Sequence, residues 1–547
     1  MSSHNQDTAQ RSTRRGLNYT AWLLVVTLTA SALLMAHTWW AKPLAFDWFV
    51  ARTTAQQLID DPETTTTAAL PGAWTWLRDN ARLQDRSAAA AVQRQQLAMQ
   101  TLATLQRYPT NKLSLEQQTN AAVLSVQLQR QIDAYAFRFY PFPIGLTDST
   151  ADALPVSVLR KQHVASQTDA LDYLHRLAAL RVRAVQLLRQ LQMADAQQVE
   201  PPRFLVDAAL QRLREFIRVP PKRHTHYLDL QHKLLRVPDA EIDAAVRSAL
   251  LKRAAETLRQ QVYPAYQQLI DWLAKKQPQL ARNDGAWAMP NGDAYYAYCI
   301  ALHTGSTLTA DELHAFGLAE VARVGGQMDT LLRLLGATHG SVGMRMRVRA
   351  ATPIASTSLQ LQRDMRTLSS TQRSKPSPNR MAPNAAPQNT RRDLPLLRSM
   401  VPFAAFTSGW SLYRQRVSAE RMPAPDDAEQ LSRLQAEMLT AVHVVVDTGM
   451  HARRWSREQS IAFAIDQTGI SDSNATRAIE QDLATPGRAL AGAVGLRKFL
   501  EFRARAKQRL GTTFDPQRLN DVLLREGPVP WSVVERNVDA FIAIAHL

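Results

Sequence analysis

Apolar residues recur at three- and four-residue steps along most of the chain, and that period constrains the fold more than any other feature. Between Tyr173 and Leu191, for example, Tyr173, Leu177, Leu180, Ala184, Leu187, Leu188 and Leu191 recur in this way. Such spacing lines one face of a helix and asks for a neighbouring apolar face to cover it. The same spacing predicts helices over 86–107, 113–135, 203–217, 240–275, 309–335, 428–446 and 497–509. Proline-rich breaks fall at Pro141–Pro143, Pro201-Pro202 and Pro220-Pro221, where a helix loses its donors and its backbone freedom. Strand signals are few. The best is Met344–Arg349, a strict apolar/basic alternation. No internal repeat is visible. The chain therefore reads as mainly α with little β. Its 547 residues, 45% apolar and 21% charged, can bury a large core.

Three arginines, Arg11, Arg14 and Arg15, precede an almost uncharged run over residues 21–41 that ends near Trp39 and Trp40. About 20 apolar residues suffice to span a bilayer, the arginines favour an amino terminus kept inside, and the tryptophans suit the interface. The run is long for a signal-peptide core and lacks a clear small-x-small cleavage site. The expectation is a cytoplasmic basic tail (1–20), one transmembrane signal anchor at 21–41 in the cytoplasmic membrane, and a body (42–547) in the periplasm or extracytoplasmic space. A cleaved signal peptide remains the alternative, and either reading exports the body. Residues 367–392, rich in Ser, Pro, Asn and Arg, read as a long flexible loop inside that body.

Charge and cysteine usage narrow the function classes. The formal net charge is +17, but the arginines are scattered over many amphipathic segments with no basic run interleaved with aromatics, so nucleic acid is not an expected partner. A lone Cys299 excludes an intramolecular disulfide and a Cys-based zinc site. It sits in an apolar-aromatic run and reads as a core residue.

The distinctive clusters are Gly292-Asp293-Ala294-Tyr295-Tyr296, then Leu308–His314 with Gly317 and Glu320-Val321, then Phe406–Tyr413. After them come Val445–His451 with Trp455–Gln459, Thr485–Ala489, and Leu510-Gly511 with Phe514-Asp515. In this order they resemble the bacterial domain-of-unknown-function family 885. The resemblance implies an exported, largely helical, zincin-like peptidase fold, related in architecture to oligopeptidases and the angiotensin-converting-enzyme type.

The family pattern also implies a zinc site. It reads roughly H-E-x-x-P-G-H-H-L-Q on one helix, followed after a loop by F-x-E-G-W-A-L-Y. Two imidazoles and a carboxylate leave zinc an open position for water, and the Glu beside the first His takes that water's proton. Laid on this pattern, Pro353 matches the proline. The first His position is Arg349, the Glu is Ala350, the Gly is Ile354 and the second His is Ala355. In the second motif Gly409, Trp410, Leu412 and Tyr413 match, but the ligand Glu is Ser408. The family's tyrosine after P-G-Q-A is Gly492, and its F-H-D is Leu519-Asn520-Asp521. The segment from Gly336 to Arg349 is shorter than the family's, and residues 341–408 contain no His and no Glu. No metal ligand and no cofactor is expected here, zinc included.

The remaining candidates divide between chemistry and structure. His451 is a pocket histidine in relatives by the resemblance, or a histidine holding a turn with Asp447. Tyr413, Tyr295 and Tyr296 are oxyanion donors or pocket and core aromatics. His224 and His226, with His232, form the only histidine cluster and read as a solvated loop, since no nearby carboxylate completes a ligand set. The expected function is that of a membrane-anchored pseudoenzyme that binds peptides or envelope proteins without hydrolysis. The alternative is an active metallopeptidase or other hydrolase using an unrecognised site.

Overall fold

The computed structural model describes residues 22, 24–31, 42–68, 70, 72–146, 156–280, 285–351, 395–421 and 426–545. Every regular element among them is helical. Helices α1 (Phe46–Asp60), α2 (Pro62–Thr67), α3 (Ala88–Leu105) and α4 (Leu115–Ala134) come first. Then follow α5 (Val156–Lys161), α6 (Gln167–Ala196), α7 (Arg203–Arg218), α8 (Thr225–Leu234), α9 (Ala244–Thr257) and α10 (Tyr263–Lys276). Next are α11 (Gly292–Thr304), α12 (Ala310–Leu334) and α13 (Val342–Ala351). The carboxy-terminal part holds α14 (Leu396–Met400), α15 (Ala404–Arg421), α16 (Asp427–Ala452), α17 (Arg457–Thr468), α18 (Asp472–Ala484), α19 (Leu490–Leu510), α20 (Pro516–Leu524) and α21 (Trp531–Ala545).

Local chemistry sets the starts of the long helices. Reciprocal capping boxes pair Ser114 with Gln117, Ser166 with Asp169, Thr309 with Glu312 and Ser456 with Gln459. Each satisfies amide donors that a helix start otherwise leaves unpaired. The apolar stripes then decide the packing. Tyr173, Leu177, Leu180, Ala184 and Leu187 of α6 are all buried, against Tyr266, Leu269 and Ile270 of α10 among others. This first core is contiguous in sequence. A second core joins α1, α3 and α4 to α15, α19, α20 and α21, so the two ends of the body are packed together. A third is built mainly from α12, α16, α17 and α18. The α12–α16 and α15–α19 seams are the most extensive. In the latter, Gly409 and Gly495 let the two backbones approach so closely that a Cβ on Gly495 would overlap the Ala405 carbonyl.

Two expectations are corrected. Met344–Arg349 is not a strand but lies within α13. Its alternation misleads because arginines share the contacts with the apolar residues, Met346 packing on the third core beside them. Arg345 is buried, bonding Asp329 and the Ala337 carbonyl, and Arg347 bonds the Ile470 carbonyl and Asp472, while Met344 and Val348 stay exposed. The helix predicted over 240–275 is interrupted by a π-helical turn at Leu258–Val262, just ahead of Pro264. Proline supplies no amide donor there, and the widened turn carries the chain past it.

No helix among the described residues is long and apolar enough to cross a membrane. Of the expected anchor at 21–41, residues 22 and 24–31 are described, and 24–31 are helical and exposed; the rest of it lies outside the described residues, as does the basic tail. The loop expected at 367–392 lies outside them as well.

Candidate functional site

Helix α16 puts His443, Asp447 and His451 at four-residue steps, which stacks them on one face. That face meets α11, α18 and the turn into α19. Tyr296 donates to Asp447 Oδ1 at 2.5 Å, and the Gly487 amide reaches both carboxylate oxygens at 3.1 Å. Gly487 has φ +74, and a Cβ there would press on the Cys299 carbonyl, so only glycine brings its amide to this carboxylate. The kept clusters around Tyr296, Asp447 and Gly487 thus meet in one buried knot.

Burial, with the neighbouring Asp482 charge, holds Asp447 well above the usual carboxylate range despite its two donors. His443 faces Asp482 Oδ2 at 2.5 Å. Burial opposes its charged form, but the Asp482 carboxylate outweighs it and raises the imidazole. His451 is buried, and burial pulls it down to about 4. Its Nδ1 accepts from the Ala286 amide at 3.0 Å, and its Nε2 faces the Asp482 carbonyl at 3.3 Å. Both ring nitrogens are therefore occupied by backbone. His451 does hold a turn, but through Ala286 rather than with Asp447, whose partners are Tyr296 and Gly487. A histidine so saturated has no nitrogen to offer a substrate.

The tyrosines are core residues. Tyr296 is buried, and Tyr295 packs its ring against Phe137 and Tyr140. Tyr413, 1% exposed, donates to Asn520 Oδ1 at 3.3 Å. Cys299 is buried, and burial pushes its thiol up to about 12, so it is not a nucleophile at neutral pH.

The positions at which the zinc motif departs divide between two places. Arg349 and Ala350 end α13, which packs on α12 and α17; Ala355 lies outside the described residues. Ser408 is exposed on α15, and a Cβ on Gly492 of α19 would sit 3.8 Å from the Ser408 Cβ and 3.2 Å from Leu412 Cδ1. Two departures from the pattern, serine and glycine, therefore face each other across one seam. Sequence alignment gave each separately; their pairing required the fold.

The histidine cluster overturns its expectation. His224 and His226 are not solvated: they are 3% and 2% exposed. His224 caps α8, its Nδ1 accepting from the His226 amide at 3.2 Å, with the Phe216 ring 4.6 Å from its own. Burial lowers His224 to about 4, and lowers His226 well below the usual imidazole value. The 3₁₀ turn Pro221–Arg223 explains the difference, since it leaves Lys222 and Arg223 outside while the next imidazoles enter the core. His232 is exposed beside Arg236.

Residues 62–375 and 384–538 match the bacterial proteins of unknown function grouped as DUF885. The chain belongs to that family. A candidate lipoprotein from Colwellia psychrerythraea has a similar structure at TM-score 0.77 and 24% identity, covering 90% of this chain and 99% of that one. A candidate lipoprotein of unknown function from Shewanella oneidensis follows at TM-score 0.68 and 13% identity, with the same coverage. No curated protein matches the sequence. At these identities the two structures show the shared fold.

The zinc that the DUF885 resemblance implied does not fit the residues present. Arginine at 349 sets a fixed positive charge where the resemblance implies a ligand, and Ala350 and Ser408 offer neither the carboxylate base nor the carboxylate ligand it implies. Among the described residues, no three His, Cys, Asp or Glu side chains gather to hold a metal ion.

Proposed function

We propose that this DUF885 member is a membrane-anchored, extracytoplasmic pseudoenzyme on a zincin-like fold, binding peptides or protein partners of the envelope without hydrolysing them. The observation that carries the reading is the facing pair Ser408 and Gly492. A carboxylate and a tyrosine in the family pattern are here a small hydroxyl and no side chain at all. Their loss together removes charge and bulk from both sides of a seam that the rest of the motif, Gly409, Trp410 and Tyr413, still builds. Selection for the fold without its chemistry leaves this kind of residue. The arginine-flanked apolar run at 21–41 and the candidate-lipoprotein descriptions of the two similar structures support an envelope location. No cofactor takes part.

Zinc stoichiometry, measured by mass spectrometry on full-length protein purified without chelator and then offered zinc, tests this first. Expected are near-zero zinc, no cleavage of a diverse peptide library, and saturable retention of some library peptides that Ser408→Trp abolishes. One tightly held zinc per chain, or cleavage of any library peptide, would establish the hydrolase reading instead. Retention unaffected by Ser408→Trp would remove the vacated seam as the binding surface.

A further inference from the structure

A cavity of about 60 Å³ opens where α4, the end of α11 and the start of α15 meet the turn before α21. Its walls are mostly apolar, built by Val126, Phe403, Phe406, Val529 and Trp531. Two nitrogen side chains interrupt them, Arg130 of α4 and His303 of α11. Arg130 donates to the Pro402 carbonyl at 3.0 Å and lies 5.1 Å over the Phe403 ring. Among the described residues it pairs with no carboxylate, and burial lowers its pKa from the usual value. Asp133, one turn further along α4, accepts instead from Gln129 at 2.8 Å. The charge of the exposed Arg488 also reaches His303, which burial holds at about 4. No described carboxylate or backbone carbonyl bonds the His303 ring.

A half-buried guanidinium without a counter-charge is costly, and an anion that reaches it removes the cost. The surrounding rings favour hydrocarbon. A bare inorganic anion would leave those rings unused, and a neutral apolar molecule would leave Arg130 without a counter-charge. The two requirements together describe a carboxylate on a short apolar group. Size agrees, since one water needs roughly 10–15 Å³ and the cavity has room for about four to six groups of that size. We propose that this cavity binds small amphipathic monocarboxylates, the carboxylate on Arg130 and His303 and the hydrocarbon against Phe403, Phe406 and Trp531. The site goes beyond the peptide-binding reading and stands without it, although Ala404 on its rim lies one helical turn from Ser408.

Ligand-observed saturation-transfer NMR on the full-length chain tests it, with propionate, its neutral isostere propionamide, and inorganic phosphate as probes. Propionate is expected to saturate, with propionamide and phosphate each at least about tenfold weaker. Arg130→Gln is expected to weaken propionate by about tenfold or more and to erase the preference over propionamide, while Arg130→Lys retains it. Ala404→Leu, which narrows the cavity without touching its charge, is expected to exclude propionate. This second variant keeps the test decisive should Arg130→Gln unfold. No saturation by propionate overturns the proposal. So does equal binding of propionamide, equal binding of phosphate (a plain anion site), or unchanged propionate binding in folded Arg130→Gln and Ala404→Leu proteins.

Discussion

At the scale of single residues, burial decides what each ionisable group does. His224 and His226 sit in a basic, proline-flanked stretch, yet both enter the core of α6–α10 as neutral rings. Their folded pKa values lie below the unfolded imidazole value, about 6.5, and His224 titrates at about 4. The unfolded chain therefore binds more protons between these limits, so stability rises with pH across that window. The contribution is fully present above the unfolded value and is lost as pH falls toward the folded one. His224→Asn keeps an acceptor that can cap α8 but removes one titrating ring. Urea unfolding midpoints followed from pH 7.5 down to pH 4.5 should fall less steeply in this variant than in the wild type, by close to one proton's worth of slope. An identical slope would mean that His224 is protonated in the folded protein. Nothing in the letters PKRHTHY shows this burial, because it depends on the direction in which the Pro221–Arg223 turn sends the chain.

Helix by helix, the period of the apolar residues was a sound guide, because an amphipathic stripe needs only a covering face and not a particular one. It placed α3, α4, α6, α7, α12, α16 and α19. It failed where a helix buries a charged side chain alongside apolar ones, as α13 does with Arg345 beside Met346. The α15–α19 seam shows a further limit, since backbone proximity there depends on glycines that have no hydropathy signal. A methyl group on Gly495 would collide with the Ala405 carbonyl, while Gly326 on α12 has open space around its Cβ position. Gly495→Ala should cost about 3 kcal/mol, an overpacking cost. Gly326→Ala should stabilise by about 0.5–1 kcal/mol, from helix propensity and reduced unfolded-state freedom. Denaturant titration of the two variants should thus give shifts of opposite sign.

Across the whole molecule, a few buried polar groups tie distant parts of the chain together. Arg398 is 4% exposed. It bonds Asn120 Oδ1 and Glu526 Oε2, each at 2.7 Å, partners 278 and 128 residues away. Arg398→Met fills similar space but leaves the Asn120 oxygen and the Glu526 carboxylate without their donor. It should destabilise by about 3–5 kcal/mol, as expected when one partner of a buried pair is removed, with Glu526→Gln costing less because the hydrogen bond survives. Calorimetric unfolding of both variants measures the difference. The chain's sequence determined its helical class, most helix positions and its membership of DUF885, because these rest on local period, caps and ordered motifs. It also determined which residues, Arg349, Ala350 and Ser408, stand where the family resemblance implies zinc ligands and a base, a matter of residue identity alone. Tertiary structure alone decided that Ser408 faces Gly492, that His451 is saturated by backbone, that two histidines are core residues and that Arg130 shares a cavity with His303. Each of those facts is a meeting of groups far apart in sequence, and only the packing of one helix face on another brings them within reach.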